Sequence, residues 1–183
     1  ETLVPALYAG TGCETSVSSR LIVIRDNRPV EMSVSEVLEF NTQQLVDLLR
    51  RELELKEQKL LEDLFFKTLV RIFIENHIYK KIESCKSNEA IYKAIYKGFE
   101  PYRSEYYRDI IDDDIEMLLG VRIRRISLFD INRHKEEMEK VQADLVETRK
   151  YLKSITRYTI NHIKGLLKKY GGQYPRRTQL TEF

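Results

Sequence analysis

Glycine, proline, cysteine and tryptophan are all scarce in this sequence, and each shortage excludes something. The 183 residues include 7 Gly, 4 Pro, 2 Cys and no Trp. Cys13 and Cys85 are too few for a disulfide scaffold or a cysteine-built zinc site, which suits a reducing compartment. No run of 18 or more apolar residues occurs, so no segment reads as a membrane span. Residues Glu1-Thr2-Leu3-Val4-Pro5 lack the basic and apolar regions of a secretory signal. The first residue is not Met, and the expectation is a piece of a longer protein. Neither charge sign dominates, with 31 basic against 29 acidic side chains, and 42% hydrophobic residues are too many for a disordered chain.

What is present is helical. From Val30 to Lys97 there is neither Gly nor Pro. Ser33-x-x-Glu36 has the form of a capping box, in which a Ser oxygen takes a first-turn amide and the Glu reaches back. Val34, Leu38, Leu45, Leu49, Leu53, Leu60 and Leu64 then recur at helical spacing, thickened by Leu61, Leu69 and Ile72. This predicts one helix over 34–85, roughly 50 residues and about 75 Å long. Such a helix needs a partner to cover its stripe. Met138, Val141, Leu145, Leu152 and Ile155 supply a second heptad seam, which Ile160, Ile163 and Leu167 resume after a phase slip. Lys164, Lys168 and Lys169 favour the negative end of that helix dipole, and Gly171-Gly172 stops the helix. With about 45 residues between them, the two helices are expected to pair antiparallel.

The expected fold is therefore mostly α, a long antiparallel coiled coil with a small helical head and part of an α/β element at the other end. The divisions are 1–33 for a partial element with a β-hairpin, 34–85 for the first helix, and 86–126 for the head. The second helix takes 127–170 and a returning tail 171–183. In the head, residues 88–96 read as a short helix ended by Gly98, and Asp112-Asp113-Asp114 opens another. The apolar density of Ile115, Met117, Leu118, Leu119, Val121, Ile123 and Ile126 exceeds what one short helix hides, which implies self-association. Residues 15–24 read as a strand, 25–29 as a turn and 30–32 as a return strand. Further strands of that sheet are expected outside this chain or in the tail at 176–180.

Several segments together carry a resemblance. Leu7-Tyr8 precedes a hairpin closing in Asp26-Asn27-Arg28-Pro29, and Ser35-Glu36-Val37-Leu38 opens the first long helix. Ile115-Glu116-Met117-Leu118-Leu119-Gly120-Val121-Arg122-Ile123-Arg124-Arg125-Ile126-Ser127 follows the head, and the second helix ends in Tyr170-Gly171-Gly172 and Arg176-Arg177-Thr178. Over essentially its whole length the chain resembles the breakage–reunion (A-type) subunits of bacterial type IIA DNA topoisomerases, gyrase and topoisomerase IV. The insert Gln173-Tyr174-Pro175 departs from the commonest form and is similar to topoisomerase IV subunits of the Bacteroidetes lineage. The resemblance implies the end of the tower domain, the coiled-coil arms and the tip that dimerises as an exit gate. It places the winged-helix domain with the catalytic tyrosine before this stretch, and the DNA-wrapping or pinwheel domain after it. It implies an ATP-dependent isomerase in the bacterial cytoplasm, acting on double-stranded DNA with a second, B-type subunit that holds ATP and magnesium. No cofactor is expected in this stretch, which has no Gly-rich phosphate loop.

No residue here is expected to make or break bonds. Arg157-Tyr158-Thr159 has the spelling of the family's nucleophile but falls among heptad residues, where the family has only coiled coil. The other tyrosines are expected to pack the head and seam with wet hydroxyls. The three consecutive Asp suit a helix first turn better than a magnesium site. His77, His134 and His162 have no His or Cys partner at ligand spacing. The gate contact is expected at Ile115, Leu118, Leu119, Arg122 and Ile123. Charge is unevenly placed: Arg149 to Phe183 holds nine Lys or Arg against one acid, a balance of +8, leaving −6 on residues 1–148. The resemblance implies that the DNA-gate segment runs across this basic base of the arm. DNA contact is accordingly expected at Arg20, Arg25, Arg28, Lys168, Lys169, Arg176 and Arg177. For this basic patch the alternative is lysines that serve the helix dipole and are neutralised by Glu36, Glu39 and Asp47. The alternatives are a freestanding coiled-coil scaffold that never meets DNA, and a metal-dependent phosphoryl-transfer enzyme using the Asp run.

Overall fold

A computed structural model describes residues 3–13, 18, 20–83, 85, 87–121, 128–175 and 177, with the side chains of 128–131 left undescribed. Among these residues the order is α1 (Leu3–Gly10), β1 (Leu21–Arg25), β2 (Arg28–Met32), α2 (Val34–Glu75), α3 (Ile78–Ile82), α4 (Asn88–Phe99), a 3-10 turn (Glu100–Glu105), α5 (Asp112–Leu119), α6 (Leu128–Lys153) and α7 (Ile155–Tyr170). A second 3-10 turn takes Gly171–Gln173. Helix dominates, as the sequence implies. The chain forms two compact units, Glu1–Asp47 and Leu48–Phe183, so that α2 runs from one into the other.

In the first unit β1 and β2 pair antiparallel with Val23 opposite Val30 and Arg25 opposite Arg28. Asp26 and Asn27 both have positive φ, 51° and 60°, which gives the two-residue turn a twist matching that of its strands. β1 starts later than expected from sequence and β2 two residues earlier, and residues 15–17 and 19 of the expected first strand lie outside the described residues. Ile22 and Ile24 are 73% and 80% exposed, so one face of the hairpin is bare within its own unit. The capping box forms: the Ser33 amide and hydroxyl both donate to Glu36 Oε2 at 2.7 Å, and the Glu36 amide donates to Ser33 Oγ at 3.3 Å. The Ser33 amide and hydroxyl hold the Glu36 carboxyl below its ordinary pKa.

In the second unit α2 pairs antiparallel with α6. Glu57 meets Arg149 at 2.6 Å, while ten residues later Lys67 meets Glu137 at 3.0 Å and its carbonyl meets His134 Nε2 at 2.9 Å. Leu49 and Leu53 are buried on one side of this arm, and Met138, Val141, Leu145, Thr148, Ile155 and Thr159 on the other. The second helix breaks at Ser154, whose φ and ψ of −127° and 47° are not helical, one residue before Ile155 and not between Ile155 and Ile160 where the spacing puts the phase slip. Ser154 Oγ donates to the Lys150 carbonyl at 3.0 Å. Beyond the break the seam runs through Ile155 and Thr159. It does not resume through Ile160, Ile163 and Leu167, which are 47%, 39% and 69% exposed.

The first long helix ends ten residues earlier than the sequence suggests. At His77 the backbone turns left-handed with a φ of 52°, and Tyr102 secures the break by donating to Asn76 Oδ1 at 2.7 Å. Periodicity missed this because the apolar pattern continues across the turn. Phe73 before it and Ile78 after it are both 1% exposed, and a straight helix would not aim both into one core. The head thus begins inside α2. Its core is Phe65, Leu69, Val70, Ile72, Phe73, Ile78, Ile95, Phe99, Ile115 and Leu118.

Gly98 does not end α4, which continues to Phe99; it permits close packing. A Cβ at this position would lie 2.8 Å from Ile78 Cγ2 and 3.3 Å from Cγ1. Gly98→Ala gains up to about 1 kcal/mol of helix propensity, but the overpacking costs about 1–3 kcal/mol. The expected net result is a thermal midpoint lowered by about 3–6 °C, read by circular dichroism. An unchanged or raised midpoint would show that Ile78 yields without cost.

Candidate functional site: the head surface and the basic elements

Two of the acids that open α5, Asp112 and Asp114, have individual partners. Asp114 is 5% exposed and receives both Nη atoms of Arg108, at 2.7 and 2.9 Å, together with the Ile111 amide at 2.9 Å. Burial pushes its carboxyl up, but the Arg108 hydrogen bonds, the Ile111 amide and the Arg108 charge outweigh burial and hold it below the ordinary value. Asp112 takes the Tyr96 hydroxyl at 2.7 Å, and Glu116 takes the Tyr92 hydroxyl at 2.6 Å. Tyr92 is pushed up to about 12, first by that bond to Glu116, and Tyr96 to about 12, first by burial and then by Asp112. Tyr107 donates to Glu62 at 2.5 Å and Tyr106 to the Phe99 carbonyl at 3.4 Å. These head tyrosines therefore spend their hydroxyls on protein acceptors, where the sequence suggested water. Among the described residues no group of three or more His, Cys, Asp or Glu is arranged to hold a metal ion.

Tyr158 lies in α7 with its ring 4.9 Å from that of Tyr151, whose hydroxyl donates to Glu147 at 2.6 Å. His134 bonds a backbone carbonyl across the arm, and His77 sits at the break after α2 with its Nδ1 3.4 Å from the Tyr79 hydroxyl.

The five residues expected at the gate separate by position. Ile115 and Leu118 are both 0% exposed and lie in the core of the head. Their place on the inner face of α5, beside Asp114, follows from the Arg108 clamp that turns this face inward. Neither offers apolar area to a second molecule in this arrangement. Leu119 is 41% exposed, and Met117 (56%) and Ile111 (51%) are outward-facing residues that the sequence reading did not single out for the contact. The signal was available: helical spacing puts Asp114, Ile115 and Leu118 on one face and Met117 off it. Arg122 and Ile123 lie outside the described residues.

The basic residues also divide. Arg20, Arg25 and Arg28 belong to the first unit, where Arg20 lies 3.6 Å from Glu31, and Arg25 lies 3.8 Å from Asp26 and 5.0 Å above the Phe40 ring. Lys168, Lys169 and Arg177 belong to the second and are exposed, with the Lys169 ammonium 5.0 Å from the Tyr170 ring centre. Arg176 lies outside the described residues. Among the described residues no helix is long and apolar enough to cross a membrane.

Residues 1–164 match the family model for the A subunit of DNA gyrase/topoisomerase IV. The chain is also similar to the A subunit of DNA topoisomerase 4 from Borreliella burgdorferi, with 34% identity over 179 residues. That alignment covers 98% of this chain and 29% of the relative, so the chain spans less than a third of the relative's length. A break-ended antiparallel arm, a head with its own core and a match over most of the sequence agree: the chain belongs to the family of DNA gyrase and topoisomerase IV A subunits.

Proposed function

We propose that this stretch is the arm and exit gate of a type IIA topoisomerase breakage–reunion protein, which passes one DNA duplex through a transient break in another. The parent is an ATP-dependent isomerase of the bacterial cytoplasm. Its catalytic tyrosine lies elsewhere in the longer protein, and ATP and magnesium are held by a separate B-type subunit. This stretch supplies mechanical reach and a separable contact between two copies. Family membership argues against the freestanding scaffold.

One observation carries the reading: the antiparallel arm ends in an independently cored head that leaves Met117 and Leu119 exposed on α5. Exposed apolar side chains on a firmly packed support suit a contact that must form and release without unfolding its base. The gate residues in this reading are Leu119 and Met117, with Arg122 and Ile123 following them in the chain. Ile115 and Leu118 serve by holding α5 in place. Sedimentation of Met117→Asp/Leu119→Asp beside the unaltered chain tests this. The expected result is a dimer weakened at least about tenfold with unchanged helicity, since each buried charge costs more than about 1.4 kcal/mol. A dimer of unaltered strength overturns the assignment of the contact to this face.

A further inference from the structure

The returning helices of the arm, α6 and α7, carry a row of cations that neither the seam nor the head uses. Lys150, Lys153, Arg157, Lys164 and Lys168 are all exposed. None of them lies within ion-pair distance of a carboxylate among the described residues. Arg149, one position from Lys150, is different because it is bound to Glu57 at the seam edge. The five fall on one line. At about 100° per residue they occupy an arc of about 60°, and the buried set Leu145, Thr148, Ile155 and Thr159 lies on the opposite side. Burial of Ile155 and Thr159 as well as Leu145 and Thr148 means that the break at Ser154 preserves the facing of the helix.

No Asp or Glu occurs between Glu147 and Glu182, so the stretch itself contains nothing to neutralise the row. Ser154 and Asn161 are the polar residues interleaved on the same face. An open groove lined by Val146, Arg149, Lys150, Lys153 and Ser154 lies at its start. From Lys150 to Lys168 the row extends about 27 Å at the α-helical rise.

We infer that this row is a binding track for the phosphate backbone of double-stranded DNA, separate from the basic residues of the hairpin and of the tail. A one-sided row of cations about 27 Å along the helices, without ion-pair partners among the described residues, matches a rod of regularly spaced phosphates. It carries no base-reading geometry, so binding is independent of sequence. A lipid surface fits less well. Around Lys150, Lys153 and Arg157 the seam side of the helix is buried and Val146 is the single exposed large aliphatic side chain before Ile160, while Ile160, Ile163, Leu166 and Leu167 are exposed only along the second half of the row. The track would hold a duplex alongside the arm while the gate works. The choice of DNA as the polyanion rests on the duplex-passage reading, whereas the existence of the track rests on the charge pattern.

The test is a fluorescence-anisotropy titration of the 183-residue chain with a labelled duplex of about 30 base pairs at several salt concentrations. A variant with Lys150→Gln, Lys153→Gln, Arg157→Gln and Lys164→Gln is compared with one carrying Lys56→Gln, Lys59→Gln, Lys135→Gln and Lys140→Gln. The second set removes the same charge from exposed positions elsewhere. The track variant is expected to bind at least about tenfold more weakly at low salt, with a log–log salt slope shallower by about 3–4, and the control to remain near the unaltered chain. Equal losses in both variants would reduce the effect to bulk charge and overturn the track. So would the absence of duplex binding by the unaltered chain. Binding to phosphatidylserine vesicles that the track variant loses, with duplex binding unaffected, would overturn DNA as the occupant. Repeating the titration with Met117→Asp/Leu119→Asp separates this result from failure of the gate reading, because that variant leaves every track residue in place.

Discussion

Arg108→Met is expected to lower the stability of the second unit by about 2–3 kcal/mol, which moves the thermal midpoint down by about 5–10 °C. Arg108 joins three parts of the molecule. It binds Asp114 through both Nη atoms, reaches Glu62 on α2 at 2.8 Å, and lies 3.9 Å above the ring of Phe65. Methionine keeps an unbranched apolar stem over Phe65, so the loss is electrostatic. Asp114 would retain only the Ile111 amide while remaining buried, and an uncompensated buried carboxylate is the costly part. The magnitude is set at the low end of the range for buried pairs because the Glu62 side chain is 54% exposed and its share is screened by water.

The pH dependence gives a second readout. In the unaltered chain the folded pKa of Asp114 and that of Glu62 are both depressed, Glu62 first by Arg108 and then by Tyr107. Stability from a depressed carboxyl is complete above its ordinary value, near about pH 4, and is lost as pH falls through the folded value. Without Arg108, burial dominates at Asp114 and raises its pKa, so mild acid relieves the variant. The stability gap between the two proteins should be widest at neutral pH and narrow below about pH 4. A gap that stays constant with pH would show that the loss comes from packing over Phe65. Asp114→Asn in the Arg108→Met background should recover part of the deficit.

The features legible in the sequence were those that depend on local period and local chemistry. The Ser33–Glu36 box, the paired long helices and the stop after Tyr170 all follow from spacing along one chain, whereas the break at Ser154 falls before the phase slip that the spacing suggested. The end of α2 does not follow either, because Phe73 and Ile78 keep an apolar rhythm across a left-handed residue that only tertiary packing explains. The same limit applies at the head. Apolar density drew the gate expectation to α5, but density does not say which apolar residues face inward. That division depends on Arg108, six residues before Asp114, folding back over the helix N-terminus. The +8 balance of the last 35 residues was visible by counting. The row within it appears only when burial fixes which side of α6 and α7 is free.

Phe73→Ala carries the largest expected loss, about 3–5 kcal/mol for a fully enclosed aromatic side chain. Phe73 is 1% exposed, stacks on Phe99 with ring centres 6.5 Å apart and planes within 3°, and meets Tyr79 at 6.3 Å. It stands in the last turns of α2, just before the left-handed turn, so one side chain ties the arm to α3 and α4. The cavity is poorly placed to collapse, since Ile72, Ile78 and Phe99 are each 1% exposed and already engaged. The arm seam near Glu57 and Arg149 does not touch this core and depends on Leu49, Leu53, Leu145 and Ile155. The two regions should therefore separate in melting: the head tyrosines lose their near-ultraviolet signal about 10–15 °C early, while most far-ultraviolet helicity persists. Function should divide along the same line. At a temperature between the two transitions the variant is expected to sediment as a monomer yet bind duplex DNA with the salt slope of the unaltered chain. A single coincident transition at the unaltered midpoint would refute the assignment of Phe73 to the head core, and loss of DNA binding with the head would place the cation row in the head's cooperative unit.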